Sequence, residues 1–131
     1  MKTKFYGLLL FSSLIFVSCK KDKEEQPVII PSGYPESVEN IIVQKCANAG
    51  CHNTESKDGA AGLDLSTWDK LFEGGRNGPG VIPYRPDFST LLYYTNTDST
   101  QGLSLLPKMP YNAPPLSTVE YEILVNWIQD G

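Results

Sequence analysis

The only histidine of this 131-residue chain directly follows a cysteine, in the segment Cys46-Ala47-Asn48-Ala49-Gly50-Cys51-His52. Two of the three cysteines lie in this segment, and four residues separate them. Thiols and an imidazole so close together can hold a metal or a covalently bound group, or the thiols can pair as a disulfide. A bound group would become part of the core of so short a chain, so this segment constrains the fold more than any other.

Two cysteines followed at once by a histidine are typical of covalent c-type haem attachment. The thiols of Cys46 and Cys51 would add to the two haem vinyl groups, and His52 would then be held at the iron as its proximal ligand. The usual motif has two residues between the cysteines, so the four found here predict a variant, C-x4-C-H. Five helical steps turn through about 500°, so the cysteines cannot share one face of an unbroken helix. We expect residues 47–50 to bulge out.

Two other interpretations of the segment remain open. Cys46 and Cys51 could form a small structural disulfide, since an exported chain enters an oxidising compartment. A zinc site is the other alternative, but it needs about four ligands, and the segment offers two thiols and one imidazole.

Met109 lies in the segment Leu106-Pro107-Lys108-Met109-Pro110, before the last predicted helix. A methionine near two prolines is poorly suited to the interior of a helix. Its thioether is a soft ligand that suits low-spin haem iron and raises the reduction potential. If a haem is present, Met109 is therefore predicted to be its second axial ligand; the other interpretation is a core methionine.

Four short helices are predicted, with long loops at residues 53–65, 74–86 and 95–116. Ser37 is expected to cap the first helix, which runs into Cys46. Ser66 or Thr67 should cap the second helix, and Gly74-Gly75 should end it. The predicted apolar positions of these two helices are Val38, Ile41, Ile42, Trp68, Leu71 and Phe72.

Pro86 and Asp87 are expected to open the third helix, which places Phe88, Leu91 and Leu92 on one face. Ser117-Thr118-Val119-Glu120 has the pattern of a capping box and predicts the start of the last helix. Its apolar stripe consists of Tyr121, Leu124, Val125, Trp127 and Ile128. The fold class is therefore all-α, and a core this thin leaves room for one wrapped cofactor.

The N-terminus predicts export and a lipid anchor. Lys2 and Lys4 precede a mainly apolar stretch that is too short for a comfortable membrane span. It ends in Phe16-Val17-Ser18-Cys19, which resembles the lipobox of a bacterial lipoprotein signal. We therefore expect a signal peptide at 1–18, a lipidated Cys19 with a flexible tether at 19–35, and one folded domain at 36–131.

Several short motifs follow the cysteines in a fixed order: Gly62-Leu63-Asp64-Leu65, Gly74-Gly75, Gly78-Pro79-Gly80-Val81-Ile82-Pro83, Ser89-Thr90-Leu91, Met109-Pro110 and Trp127-Ile128-Gln129-Asp130-Gly131. With them, the chain from about Val38 to Gly131 resembles the class I c-type cytochrome domains of the Planctomycetes and Bacteroidetes type. The departures are the widened cysteine spacing and Tyr111, where a second proline is common.

The resemblance implies a small cytochrome c-like fold around one covalently bound haem c, with His52 and Met109 as axial ligands. It implies a one-electron carrier rather than an enzyme, with redox proteins as partners. The expected location is the bacterial cell envelope, on the periplasmic face or at the outer-membrane surface. Two alternatives remain: a haem-based sensor or peroxidase-like enzyme with a labile sixth ligand, and a non-haem lipoprotein binding module with a Cys46–Cys51 disulfide.

The charge of the chain narrows the range of partners. Fifteen acidic residues outnumber eleven Lys and Arg, for a net charge of −4 at pH 7. An acidic chain without a basic stripe is a poor candidate for binding nucleic acid. Its surface should instead favour basic patches on partner proteins at low salt.

Overall fold

A computed structural model describes residues 31–131. The predicted signal peptide, Cys19 and most of the predicted tether lie outside this part of the chain. None of the described helices has the length and hydrophobicity needed to span a bilayer.

The described residues form four short α-helices in the order predicted. Helix α1 (Glu36–Ile41) continues into a π-helical turn (Ile42–Cys46), and α2 (Trp68–Glu73), α3 (Thr90–Thr95) and α4 (Thr118–Asp130) follow. Three 3₁₀ turns lie between them, at Lys57–Ala60, Pro86–Phe88 and Ser99–Gln101. Residues 31–131 contain no β-strand, only an isolated bridge between Gly75 and Gly78. The all-α, cytochrome c-like fold class is confirmed.

The predicted capping signals of α2 and α4 are confirmed. The Thr67 side chain accepts a hydrogen bond from the backbone N–H of Lys70, and α2 ends at Gly74, whose φ is +74°. At α4 both halves of the capping box form: Ser117 accepts from the N–H of Glu120, and the Glu120 carboxylate accepts from the N–H of Ser117. These starts and stops depend on neighbours in the sequence, which is why the pattern predicts them.

Two predictions about helix starts are wrong. Helix α1 begins after Pro35 rather than at Ser37: Pro35 is the N-cap residue, and its carbonyl accepts from the backbone N–H groups of Val38 and Glu39. Pro86–Phe88 is a separate 3₁₀ turn, not the first turn of α3. Phe88 is therefore 53% exposed instead of lying in the core, and the Arg85 guanidinium stacks over its ring.

Helix α4 is the centre of the core and packs against both α1 and α3. Its buried side chains are Tyr121, Leu124 and Ile128, from the predicted stripe. They meet the buried side chains of the other elements, which include Val38, Ile41, Ile42, Cys46, Leu65, Leu71, Val81, Leu91, Leu92 and Leu116.

Residues 32–34, which we call the N-terminal strap, are joined to the start of α2. The Ser32 carbonyl accepts from the N–H of Trp68 at 2.7 Å. The Tyr34 hydroxyl donates to the carbonyls of Leu65 and Thr67 at 3.2 and 3.0 Å. The Tyr34 ring packs edge-on against Trp68 and Trp127, with centroids 6.2 Å away in each case. The strap therefore holds the N-terminal side of the domain against the start of α2 and the end of the loop at 53–65.

Candidate functional site

Cys46 and Cys51 lie in very different surroundings. Cys46 is the last residue of the π-helical turn and is 7% exposed among the core side chains, whereas Cys51 is exposed. Burial, together with the nearby thiol of Cys51, raises the pKa of Cys46 to about 11 despite the opposing charge of Lys45. Both thiols are free, so the structure gives no support to the disulfide alternative.

The residues between the cysteines leave the helix, as the spacing predicts. The backbone N–H of Ala47 makes the last helical hydrogen bond, to the Ile42 carbonyl. Gly50 has a φ of +81°, a conformation that favours glycine, and Cys51 closes a turn onto the Asn48 carbonyl at 2.9 Å. The N–H of His52 then returns to the Cys46 carbonyl at 3.0 Å. The insertion therefore brings His52 back beside the end of the helix.

The His52 ring is oriented by the loop that follows it. Its Nδ1 lies 3.2 Å from the Leu63 carbonyl oxygen, and the His52 carbonyl accepts from the N–H of Leu65 at 2.7 Å. A carbonyl can only accept, so this contact assigns the proton to Nδ1 and leaves Nε2 as the basic nitrogen that can bind a metal. The Pro79 carbonyl, in one of the motifs that follow the cysteines, accepts from the Thr90 hydroxyl at 3.2 Å.

Asp64, which the sequence does not single out as functional, lies at the centre of that loop. Its carboxylate is buried, and it accepts from the N–H and hydroxyl of Ser66 and from the hydroxyl of Thr54. Burial favours a higher pKa, but these hydrogen bonds and the charge of Lys57 outweigh it and hold the pKa of Asp64 below its usual value. The Asp-x-Ser spacing is typical of an Asx turn and is the local signal that points to this residue.

A glycine turn supports the same loop from its other side. A β-carbon at Gly75 would lie 2.8 Å from the Ala61 carbonyl oxygen and 3.1 Å from the Leu63 nitrogen, so only glycine allows this close approach. The N–H of Arg76 donates to the Ala61 carbonyl at 2.8 Å, and its guanidinium donates to the Asp58 carbonyl at 2.9 Å. The Gly74-Gly75 motif thus holds the segment that carries the Leu63 carbonyl.

Met109 lies in the loop before α4 and is attached to the end of α3. Its backbone N–H donates to the Tyr94 carbonyl at 2.8 Å, and the N–H of Leu105 donates to Tyr93 at 2.9 Å. Met109 is half-buried and lines an open groove of about 820 Å³. The other groove residues are Thr97, Leu106, Pro107, Lys108, Pro110, Tyr111, Asn112, Ala113 and Pro115. None of Cys46, Cys51 and His52 lines this groove. These three residues lie together at the end of the π-helical turn, where the N–H of His52 donates to the Cys46 carbonyl.

The Met109 loop has its own buried polar anchor, Asn96. The side-chain NH₂ of Asn96 donates to the carbonyls of Gly102 and Leu103, and its side-chain oxygen Oδ1 accepts from the N–H of Asp98. The backbone carbonyl of Asn96 accepts from the ammonium of Lys108, the residue before Met109, at 2.7 Å. The loop is thus held on both sides of the groove.

The donor set of these residues fits a haem. His52 presents a basic Nε2, Cys51 presents an exposed thiol beside it, and Met109 presents a thioether at an apolar groove. Leu106 at the groove is 79% exposed and Tyr111 is also exposed, which is unusual for large apolar side chains without something to cover them. Among the described residues, no group of three or more His, Cys, Asp or Glu side chains is placed to bind a metal ion.

Residues 49–107 match the family model described as Planctomycete cytochrome C. The matched segment includes Cys51, His52, Leu63 and Asp64, and it excludes Cys46 and Met109. The match supports a cytochrome c-type domain with a haem cofactor. Neither the curated proteins nor the solved structures include a significant match.

Proposed function

We propose that this chain is a mono-haem c-type cytochrome that carries single electrons at a bacterial membrane surface. The observation that carries the proposal is the arrangement of His52: it follows the exposed Cys51, and its Nδ1 is bound to the Leu63 carbonyl. This arrangement leaves Nε2 free to bind iron in a fixed direction. When bound, haem supplies one iron that takes up and releases an electron.

The remaining roles are divided among four side chains. Cys46 and Cys51 would hold the haem through thioether bonds, and His52 and Met109 would bind its iron, which would supply one-electron redox chemistry. With both side chains bound to the iron, no position would remain for substrate or oxygen, which favours electron transfer over enzyme activity. Haem that covers the groove would also bury the apolar side chains of Leu106 and Tyr111.

The proposed partners are redox proteins, which follow from the net charge, and a membrane, which follows from the predicted lipid anchor. Redox proteins with basic docking patches fit the net charge of −4. A lipid on Cys19 would hold the domain at the periplasmic face or the outer-membrane surface, with residues after Cys19 as the tether.

The proposal is tested by producing the chain with a cytochrome c maturation system and measuring the mass of the denatured protein. We expect one covalently bound haem per chain. Cys46→Ala and Cys51→Ala should each retain at most one thioether, which a pyridine haemochrome spectrum detects as an unreacted vinyl group. Ala49→Ser, an exposed change between the cysteines, is the matched control and should carry haem normally. A colourless protein with a Cys46–Cys51 disulfide would refute the proposal.

A haem-based sensor with a labile sixth ligand is the second candidate. The observation that favours it is the open groove beside Met109, which His52 does not line. A wild-type protein that is already high-spin and binds added cyanide as readily as Met109→Ala would support the sensor over the carrier.

A further inference from the structure

The Asp64 carboxylate joins the two sides of the loop that surrounds His52. Asp64 is 2% exposed, and both of its oxygens accept hydrogen bonds. One oxygen accepts from the N–H and hydroxyl of Ser66 at 3.0 and 2.6 Å. The other accepts from the Thr54 hydroxyl at 2.8 Å. Asp64 therefore connects Thr54, two positions after His52, with Ser66 at the end of the loop that folds back to His52.

Among the described residues, the His52 ring makes one hydrogen bond, and its partner lies in this same loop. Leu63, whose carbonyl accepts from Nδ1, directly precedes Asp64 in the chain. Leu65, which follows Asp64, donates its N–H to the His52 carbonyl. A shift of the Asp64 side chain therefore moves the two neighbours that fix the backbone and ring of His52.

We infer that Asp64 is a positioning residue for His52: through Thr54 and Ser66 it holds the Leu63 carbonyl at Nδ1 and thereby sets the electron donation of His52 to haem iron. This inference rests on the proposed function, because it assigns a redox consequence to the contact. A partner at Nδ1 makes the ring a stronger donor, which stabilises the ferric state and lowers the reduction potential. Weakening the link should raise the potential.

A buried carboxylate can also lower the potential simply through its charge, and two variants separate the effects. Thr54→Val removes one hydrogen bond to Asp64 but keeps the negative charge. Asp64→Asn removes the charge, while its amide oxygen can still accept from Ser66 and its NH₂ can donate to the Thr54 hydroxyl. Asp58→Asn, an exposed change in the same loop, controls for loss of a surface charge.

The experiment measures the midpoint potential and the hyperfine-shifted NMR signals of the His52 ring in the haem-loaded chain. We expect Thr54→Val to raise the potential and shift the ring signals, Thr54→Ser to restore both, and Asp58→Asn to match the wild type. Asp64→Asn should then move the potential less than Thr54→Val does. Urea unfolding of each variant records any change in stability separately.

Three outcomes would overturn the inference. If Asp64→Asn raises the potential and Thr54→Val does not, the charge acts directly and positioning is refuted. If Thr54→Val lowers stability but leaves the potential and ring signals unchanged, the role of Asp64 is purely structural. If the wild-type chain binds no haem, the proposed function fails together with the inference, whereas the first two outcomes leave the proposed function intact.

Discussion

Lys45 forms an ion pair with Glu120, the third residue of α4. Lys45 directly precedes Cys46, and Glu120 also closes the capping box of α4 by accepting from the N–H of Ser117 at 2.9 Å. One carboxylate therefore stabilises the start of α4 and ties it to the end of the helix that carries the first cysteine.

This dual role predicts a pH-dependent stability. The hydrogen bond from Lys45 and then the backbone N–H of Ser117 hold the pKa of Glu120 below its usual value of 4.5. A lowered carboxyl pKa in the folded state contributes stability that is complete above pH 4.5 and is lost as the pH falls through the folded-state value. Glu120→Gln keeps an amide oxygen that can accept from the Ser117 N–H but removes the charge and the partly exposed ion pair, so it should cost about 0.5 kcal/mol at pH 7.

Urea unfolding at pH 7 and at pH 3 measures this effect. The loss caused by Glu120→Gln should shrink at pH 3, where the wild-type carboxyl is becoming protonated as well. Glu122→Gln, an exposed change on the same helix, should leave stability almost unchanged at both values. Equal destabilisation by Glu120→Gln at pH 7 and pH 3 would contradict the role assigned to the charge.

Replacing Met109 with alanine should open the sixth position of a bound haem. We expect the variant to bind cyanide or imidazole readily, to have a lower reduction potential and to gain some peroxidase turnover, because no thioether remains to stabilise the ferrous state. The fold should persist, since His52 and both thioethers remain. Leu103→Ala, in the same loop, 55% exposed and outside the groove, is the matched control and should keep the low-spin spectrum. Absorption spectra taken during ligand titration make the comparison.

Asn96→Ala should loosen the Met109 loop without touching the methionine. The change removes the two hydrogen bonds from the Asn96 amide to the carbonyls of Gly102 and Leu103, and a typical hydrogen bond contributes about 0.5–1.5 kcal/mol. Cyanide should then displace Met109 faster than in the wild type, which stopped-flow absorption measures. Ser99→Ala, at an exposed position of the same loop outside the groove, should bind cyanide at the wild-type rate. An unchanged rate in Asn96→Ala would show that the loop is held by other contacts.

Cys19→Ala tests the predicted anchor. Each buried CH₂ of an acyl chain contributes about 0.8 kcal/mol to membrane binding, so several chains hold a small domain firmly. The variant should appear in the soluble periplasmic fraction or stall during processing, as fractionation and immunoblotting would reveal. Ser18→Ala, the change next to it, should leave the protein in the membrane fraction. A Cys19→Ala protein that is cleaved normally and stays membrane-bound would exclude the lipid anchor.

The features that the sequence predicts correctly are those determined by near neighbours. The capping box at Ser117, the cap at Thr67 and the stop at Gly74 each involve residues at most a few positions apart, and the structure confirms all three. The bulge between the cysteines follows from helix geometry alone.

The features that were not predicted depend on contacts between distant segments. Phe88 is exposed because Pro86–Phe88 forms a turn of its own, and no periodic pattern reports that. The Leu63 carbonyl reaches the His52 ring because the loop folds back around Asp64 and against Gly75, a contact that no local pattern reports. The assignments of Cys46, Cys51, His52, Met109 and Cys19 stay predictions that the experiments above test.

The N-terminal strap determines where a pulling force on the N-terminal side of the chain acts on the folded domain. Among the described residues, a force applied at the N-terminal side is transmitted first to Ser32 and Tyr34, whose hydrogen bonds end at Leu65, Thr67 and Trp68. These hydrogen bonds share the force; Leu65 is the last residue of the loop that orients His52, and Thr67 and Trp68 follow it. Force applied through the N-terminus would therefore act on the loop that contains His52 before it acts on the loop that contains Met109. In a single-molecule pulling experiment, the hydrogen bonds of the N-terminal strap should break first.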